Sequence, residues 1–174
     1  MQSLKISVAQ ILGRPGTQKE IPVVAPLEGL QGPLARVAPE SVRAELRVEA
    51  VVEGVLVTGR PVATLELECA RCLKPFGAEV ASEVCELFVA PGTEAPDEDA
   101  YRIDGLEIDL EPMLRDALGL ELPLNPICSK DCKGLCAHCG ADLNVGTCDC
   151  RDDATDPRWA PLEELKAKLQ EERT

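Results

Sequence analysis

Six of the nine cysteines fall within 23 residues, in the run CSKDCKGLCAHCGADLNVGTCDC at 128–150. A segment so short lacks an apolar core of its own, so crosslinks or a metal must supply its folding energy. Thiols this dense in a reducing compartment point to zinc, because soft thiolates suit that ion and stay reduced there. Cys136-x2-Cys139 is followed at once by Gly140, a residue that accepts positive φ in a tight turn without a Cβ clash. Cys148-x-Cys150 supplies a second pair beyond the loop 141–147. Cys136, Cys139, Cys148 and Cys150 are therefore the predicted ligands of a structural Zn2+ knuckle. A second division also fits the spacing: Cys132, Cys136 and Cys139 give three ligands, and Cys148 or Cys150 the fourth. His138, the only histidine, lies inside the Cys136–Cys139 loop with its ring expected to point outward, and is not counted as a ligand.

Cys69-Ala70-Arg71-Cys72 is a second C-x2-C, placed at a strand end. A thioredoxin-like redox pair opens a helix that lowers one thiol's pKa, whereas here Lys74-Pro75-Phe76 and another strand follow. As half of a metal site the pair needs two more thiols, and Cys128 and Cys132 are left over once the knuckle takes its four. The most economical reading is a turn-packing pair with no metal. Two four-cysteine sites plus a strand-buried Cys85 would use all nine.

The start, MQSLKISVAQILG, has no basic head, long apolar run or cleavage site of the signal-peptide kind, and no stretch approaches the roughly 20 apolar residues of a membrane helix. A soluble, cytoplasmic protein with no membrane partner is expected. The net charge of −13 is unevenly spread. Residues 1–76 carry nine Lys/Arg against eight Asp/Glu, residues 77–127 two against thirteen, and residues 128–174 seven against ten. Replacing counterions on phosphates needs cations, so direct RNA contact falls to the first segment, where Arg43, Arg47, Arg60, Arg71 and Lys74 sit. Phe76, Phe88, Tyr101 and Trp159 are all the aromatics, too few to read single-stranded RNA by stacking. The acidic middle suits a basic protein partner better than bases.

Periodicity predicts an α+β fold. Leu4, Ile6 and Val8 alternate with polar or small residues as a first strand, and a breaker-rich stretch at 13–39 holds one short strand at 22–26. Ala44, Leu46, Val48 and Ala50 form one face of the clearest strand. VLVTG, then Ala63, Leu65, Leu67 and Cys69, continue an antiparallel meander closing toward a barrel or sandwich, and 78–90 is a further strand. Segment 91–100 reads as an acidic loop, and Asp104-Gly105 turns a short hairpin. Asp109 caps a helix with the apolar stripe Leu110, Leu114, Ala117, Leu118 and Leu122, ended by Pro123. Three parts result: a β-rich α+β domain at 1–127, the cysteine-rich segment at 128–150, and a linker with a terminal amphipathic helix at 151–174. Trp159 precedes that helix, either anchoring it or serving as a partner-binding hot spot.

One histidine without a partner base excludes Ser–His and Cys–His catalysis. No carboxylates are ordered into an acid/base pair, and no glycine-rich phosphate cradle appears. A non-enzymatic protein with no small-molecule substrate is expected.

The stretch CARCLKPF, the run IDLEPMLRDALGLELPLNPIC, the CKGLCAHCGADLN cluster and the closing DPRWAPLEELK together resemble the YceD family, the large ribosomal RNA subunit accumulation proteins of bacteria and plastids. The resemblance covers most of residues 40–170. It implies a cytoplasmic, non-enzymatic role in the synthesis, processing or stability of large-subunit ribosomal RNA. It places the CxRC motif on Cys69, Arg71 and Cys72 and the knuckle on Cys136, Cys139, Cys148 and Cys150. The expected function is a factor for large-subunit assembly that meets the ribosomal RNA or pre-ribosomal particle, with a basic ribosomal protein as a second partner. Two other classes compete: a zinc-dependent redox or metal-responsive regulator, and a direct RNA-binding zinc-ribbon protein.

Overall fold

Residues 4–39, 42–94 and 99–150, with Leu162 and Lys166, are described by a computed structural model. The chain divides into two compact units, Met1–Cys132 and Lys133–Thr174. The division falls after the expected boundary at 127/128, so Cys128 and Cys132 belong to the first unit. Leu162 and Lys166 are helical; the rest of the expected terminal helix, and Trp159, lie outside the described residues.

The first unit is mostly antiparallel sheet with one helix. β1 (Lys5–Ser7) pairs with β9 (Glu107–Asp109) as a separate two-stranded sheet. The larger sheet contains β2 (Gln18–Ala25), β3 (Ala35–Val37), β4 (Val42–Ala50), β5 (Gly54–Gly59), β6 (Val62–Glu68), β7 (Pro75–Ala81) and β8 (Val84–Val89). β4 shows the strict alternation read from its sequence, with Val42, Ala44, Leu46, Val48 and Ala50 all buried. It pairs with β2 along one edge and with β5 along the other, and meets β6 only at Arg43↔Val62. β2 is longer than the expected strand at 22–26. Pairing with β4 from Gln18↔Glu49 to Ala25↔Val42 extends it over polar residues that lack an apolar alternation.

β5 and β6 run on into each other and are matched by β7 and β8. The pairs run from Gly54↔Val89 to Gly59↔Val84, and from Val62↔Ala81 to Glu68↔Pro75, in one unbroken register. The N–H of Ser82 donates to the carbonyl of Pro61 across the gap. Residues 54–89 therefore form a single long ribbon whose tip is Cys69–Lys74. The strand expected over 78–90 is split by this break into β7 and β8. Cys85, expected to be buried in a strand, is exposed, because β8 does not alternate cleanly and buries Val84, Phe88 and Val89 instead. Gly59 permits the close passage of β4. A Cβ there would lie 2.5 Å from the carbonyl oxygen of Glu45 and 2.8 Å from Leu46 Cδ2.

The helix α1 (Leu110–Leu120) begins where expected. The carboxylate of Asp109 accepts from the N–H of Glu111 at 3.0 Å, satisfying one of the orphan donors of the first turn. Leu110, Met113, Leu114 and Leu118 are buried, each contributing about 2 kcal/mol by removal from water. The first three join the core under β2, β4, β5 and β8, while Leu118 packs with Leu27, Ala35, Val37, Ala63, Leu65 and Leu67. The Phe88 and Tyr101 rings stack at 5.2 Å, and the Tyr101 hydroxyl donates to Asp116 at 2.7 Å. Among the described residues no helix is long and apolar enough to cross a membrane.

Candidate metal centres

The ribbon tip and the cysteine-rich segment contain the same local structure twice. At the tip, the N–H of Cys69 donates to the carbonyl of Lys74 at 3.0 Å, and the N–H of Leu73 to that of Cys69 at 2.8 Å. In the second unit, the N–H of Cys136 donates to the carbonyl of Ala141 at 2.8 Å, and that of Gly140 to Cys136 at 2.9 Å. The fifth residue of each turn is left-handed: Leu73 at φ 59° and Gly140 at φ 74°. Gly140 does this without strain, whereas Leu73 is the only non-glycine residue with positive φ among those described. CARCLK and CAHCGA are thus two copies of one local turn, each carrying a C-x2-C pair.

Each knuckle meets a second pair of thiols. Cys69, Cys72, Cys128 and Cys132 bring their sulfurs within 4.8 Å of one another, and so do Cys136, Cys139, Cys148 and Cys150. In the first group Cys69 Sγ lies 3.8 Å from Cys132 Sγ, and Cys72 Sγ 3.7 Å from Cys128 Sγ. A tetrahedron of thiolates at zinc, with Zn–S about 2.3 Å, has edges of about 3.8 Å. A disulfide requires about 2.05 Å, and all nine cysteines are free. Both groups fit a four-coordinate S4 ion, and four thiolates leave no open position for a substrate or an activated water.

Main-chain groups pre-organise both sites. The N–H of Cys128 donating to Cys69 Sγ, with those of Cys72 and Arg71, holds the Cys69 thiol at about 6 against an ordinary 9.0. Desolvation and the neighbouring thiols push Cys128 up to about 12. The second site repeats the arrangement. The N–H groups of Cys139 and His138 hold Cys136 at about 6, and the thiol of Cys139 chiefly pushes Cys150 up to about 12. Without metal, then, one thiolate in each group is stabilised by N–H donors, while Cys128 and Cys150 are biased toward their protonated forms. A cation would take the place of those protons.

The surroundings differ. In the first site Cys69, Cys72 and Cys132 are buried and Cys128 is exposed. Its halves come from the ribbon tip and from the chain after α1, joined by the N–H of Ala70 on the carbonyl of Pro126 at 2.8 Å. The Arg71 guanidinium donates from Nη1 to the carbonyl of Cys132, also at 2.8 Å. The second site is local. Leu143 N–H donates to Gly134 O at 2.9 Å, and the Asn144 side chain accepts from Lys133 N–H at 2.8 Å. Cys139 and Cys150 there are exposed.

The structure brings Cys69 and Cys72 to Cys128 and Cys132, the grouping that the second-site alternative required. His138 contributes its backbone N–H rather than its ring. The cations singled out for RNA are dispersed. Arg43 pairs with Glu79 at 2.6 Å and Arg47 with Glu20 at 3.9 Å, both on exposed strand faces. Arg43, Arg60 and Glu79 line one shallow recess, while Arg71 and Lys74 sit in the knuckle. Sequence reasoning missed the left-handed Leu73, the Ala70–Pro126 bond and the Arg71 side-chain contact. The matched spacing of CARCLK and CAHCGA is the signal that favours the second-site alternative over turn packing.

A sequence profile described as large ribosomal RNA subunit accumulation protein YceD matches residues 57–166, from β5 through both cysteine groups. An uncharacterized protein of Mycobacterium tuberculosis is 46% identical over 125 residues, covering 70% of this chain and 60% of its own length. The chain thus spans 60% of the length of that curated relative. The large ribosomal RNA subunit accumulation protein YCED homolog 1, chloroplastic, of Arabidopsis thaliana is 40% identical over 65 residues, 37% of this chain and 20% of the plant protein. Uncharacterized protein YlbN of Bacillus subtilis is 28% identical over 145 residues, 80% of this chain and 81% of its own. No solved structure matches the chain. With the profile covering more than half of its residues, the chain belongs to the YceD family of large ribosomal RNA subunit accumulation proteins.

Proposed function

We propose that this protein is a non-enzymatic cytoplasmic factor supporting the accumulation of large-subunit ribosomal RNA, with structural zinc in both four-cysteine sites. The observation that carries the reading is the family match over 57–166, together with plant relatives named for large ribosomal RNA subunit accumulation. The charge distribution shapes the partner. Arg36 and Arg47 are each engaged by a glutamate on a neighbouring strand and Arg43 by Glu79 across β6, and residues 77–127 carry two cations against thirteen acids. Few phosphates can be neutralised at once, so the protein meets the pre-ribosomal particle mainly through a basic protein component, with the RNA as a secondary contact. Zinc is preferred over harder cations because every donor is a thiolate.

Sedimentation of lysates from cells depleted of the protein tests this. Large-subunit RNA should fall relative to small-subunit RNA, and the tagged protein should co-migrate with large-subunit precursors. Capture of a basic ribosomal protein should survive nuclease treatment. Unchanged RNA ratios together with free sedimentation would remove the proposal.

A further inference from the structure

Arg71 stands in the first knuckle between two ligands, and a cation there invites a role in phosphate binding. Its contacts point elsewhere. Its main-chain N–H faces the Cys69 sulfur, and its Nη1 reaches 61 residues along the chain to the carbonyl of Cys132, itself a ligand candidate. Ala70, the residue before it, binds the carbonyl of Pro126. Two adjacent knuckle residues therefore grip the incoming segment 126–132 at its two ends, one through the backbone and one through a replaceable side chain. Between those grips, Cys132 N–H donates to Ser129 O at 3.1 Å and closes a turn that presents Cys128 and Cys132 on the same side. A zinc tetrathiolate carries a net charge of about −2, and a guanidinium at its edge offsets that charge as well as fixing the ligand backbone.

We infer that Arg71 is a positioning residue of the first metal centre, clasping the Cys128–Cys132 half-site onto the knuckle through the Cys132 carbonyl. The inference rests on the reading of that centre as a metal site. By contrast, the second site has only local grips, Gly134 to Leu143 and Lys133 to Asn144. Arg71 is assigned to one centre alone.

The test is zinc release from the full-length, zinc-loaded protein into an excess of a chromogenic chelator. It is run in a Cys148→Ser/Cys150→Ser background, so that the first site alone reports. Arg71→Gln should release zinc about tenfold faster, the lower end of the effect expected from losing an outer-shell partner. Arg71→Lys, which keeps the charge and a donor, should recover at least half of that loss on a logarithmic scale. In the reciprocal Cys128→Ser/Cys132→Ser background, Arg71→Gln should leave release from the second site unchanged. Release from Arg71→Gln at the parental rate overturns the inference, as does a lysine variant no slower than the glutamine one. A parent protein with no metal at the first site by elemental analysis overturns both the inference and the metal reading beneath it. Metal present but indifferent to Arg71 overturns the inference alone. Lost association with ribosomal particles at unchanged release would return Arg71 to phosphate binding.

Discussion

Removing the far half of the first centre, by Cys128→Ser/Cys132→Ser, should cut the protein's stability far more than the size of the change suggests. Cys69 and Cys128 are 59 residues apart in sequence, and a shared metal would close everything between them into one loop. The chain-entropy treatment of crosslinks assigns a loop of about 60 residues roughly 4 kcal/mol at 25 °C. For a chain of this size that corresponds to a fall in Tm of about 8–16 °C. Urea denaturation in excess zinc, followed by far-UV circular dichroism, measures it directly. The β signal should persist in the folded variant, because the apolar core is intact, while the midpoint drops with little change in slope. The comparison variant is Cys148→Ser/Cys150→Ser. Cys139 and Cys148 close only about 10 residues, for roughly 3 kcal/mol, and that ordering is confined to the second unit. The β transition of this variant should stay within about 0.5 kcal/mol of the parent. Equal losses in the two variants, or a first-site variant with the parental midpoint, would refute the assignment of the long-range metal crosslink.

Purified reduced protein should carry two zinc ions per chain by elemental analysis, and Cys136→Ser one. Gly59→Ala should cost about 1–3 kcal/mol in chemical denaturation, since its methyl group would press on the Glu45 carbonyl and Leu46. Leu73→Gly should be neutral or stabilising by up to about 1 kcal/mol, because relief of a left-handed leucine outweighs the added chain entropy of glycine. Gly140→Leu should be destabilising in the same assay. In chelator-treated protein, Cys69 and Cys136 contribute stability that is fully present above their ordinary pKa of 9.0 and is lost as pH falls through about 6. Cys128 and Cys150 act in the opposite sense, with stability present below 9.0 and lost as pH rises toward 12. A metal-free denaturation midpoint that rises steadily from pH 9 to pH 6 would contradict this assignment.

The local part of the structure was legible in the sequence, and the long-range part was not. Val42–Ala50, the Asp109 cap and the Cys136-x2-Cys139-Gly140 turn all declare themselves within a few residues, through period-2 burial, a short acidic side chain and a glycine tolerant of positive φ. The first four-cysteine group stood only as the lesser alternative to a turn-packing pair, for two physical reasons. Its halves come together only after the ribbon folds and α1 returns the chain past its tip. Its knuckle also hides behind Leu73, which occupies a conformation that a sequence reader expects glycine to mark. Arg71 was read from its charge and its place in the CxRC motif, and neither distinguishes a guanidinium aimed at a backbone carbonyl from one aimed at solvent. The length of β2 depended on its neighbour β4 rather than on any apolar pattern of its own. Cys85 looked like a small apolar core residue until the break at 82–83 set the faces of β8.

The unbroken register of the ribbon from 54 to 89 limits how this part of the chain can change in length. A lone insertion or deletion in either strand shifts every later pair by one position. Because successive residues face opposite sides, such a slip exchanges the inner and outer faces of that strand all the way to the tip. Cys69 and Cys72 would then turn away from Cys128 and Cys132. Length can vary there without that slip by matched changes, one residue in each strand at the same rung. The break between β5 and β6 faces the one between β7 and β8, and the register passes through both unchanged. Engineered variants of this ribbon should tolerate paired insertions at 60–61 and 82–83, and lose metal when only one strand is lengthened.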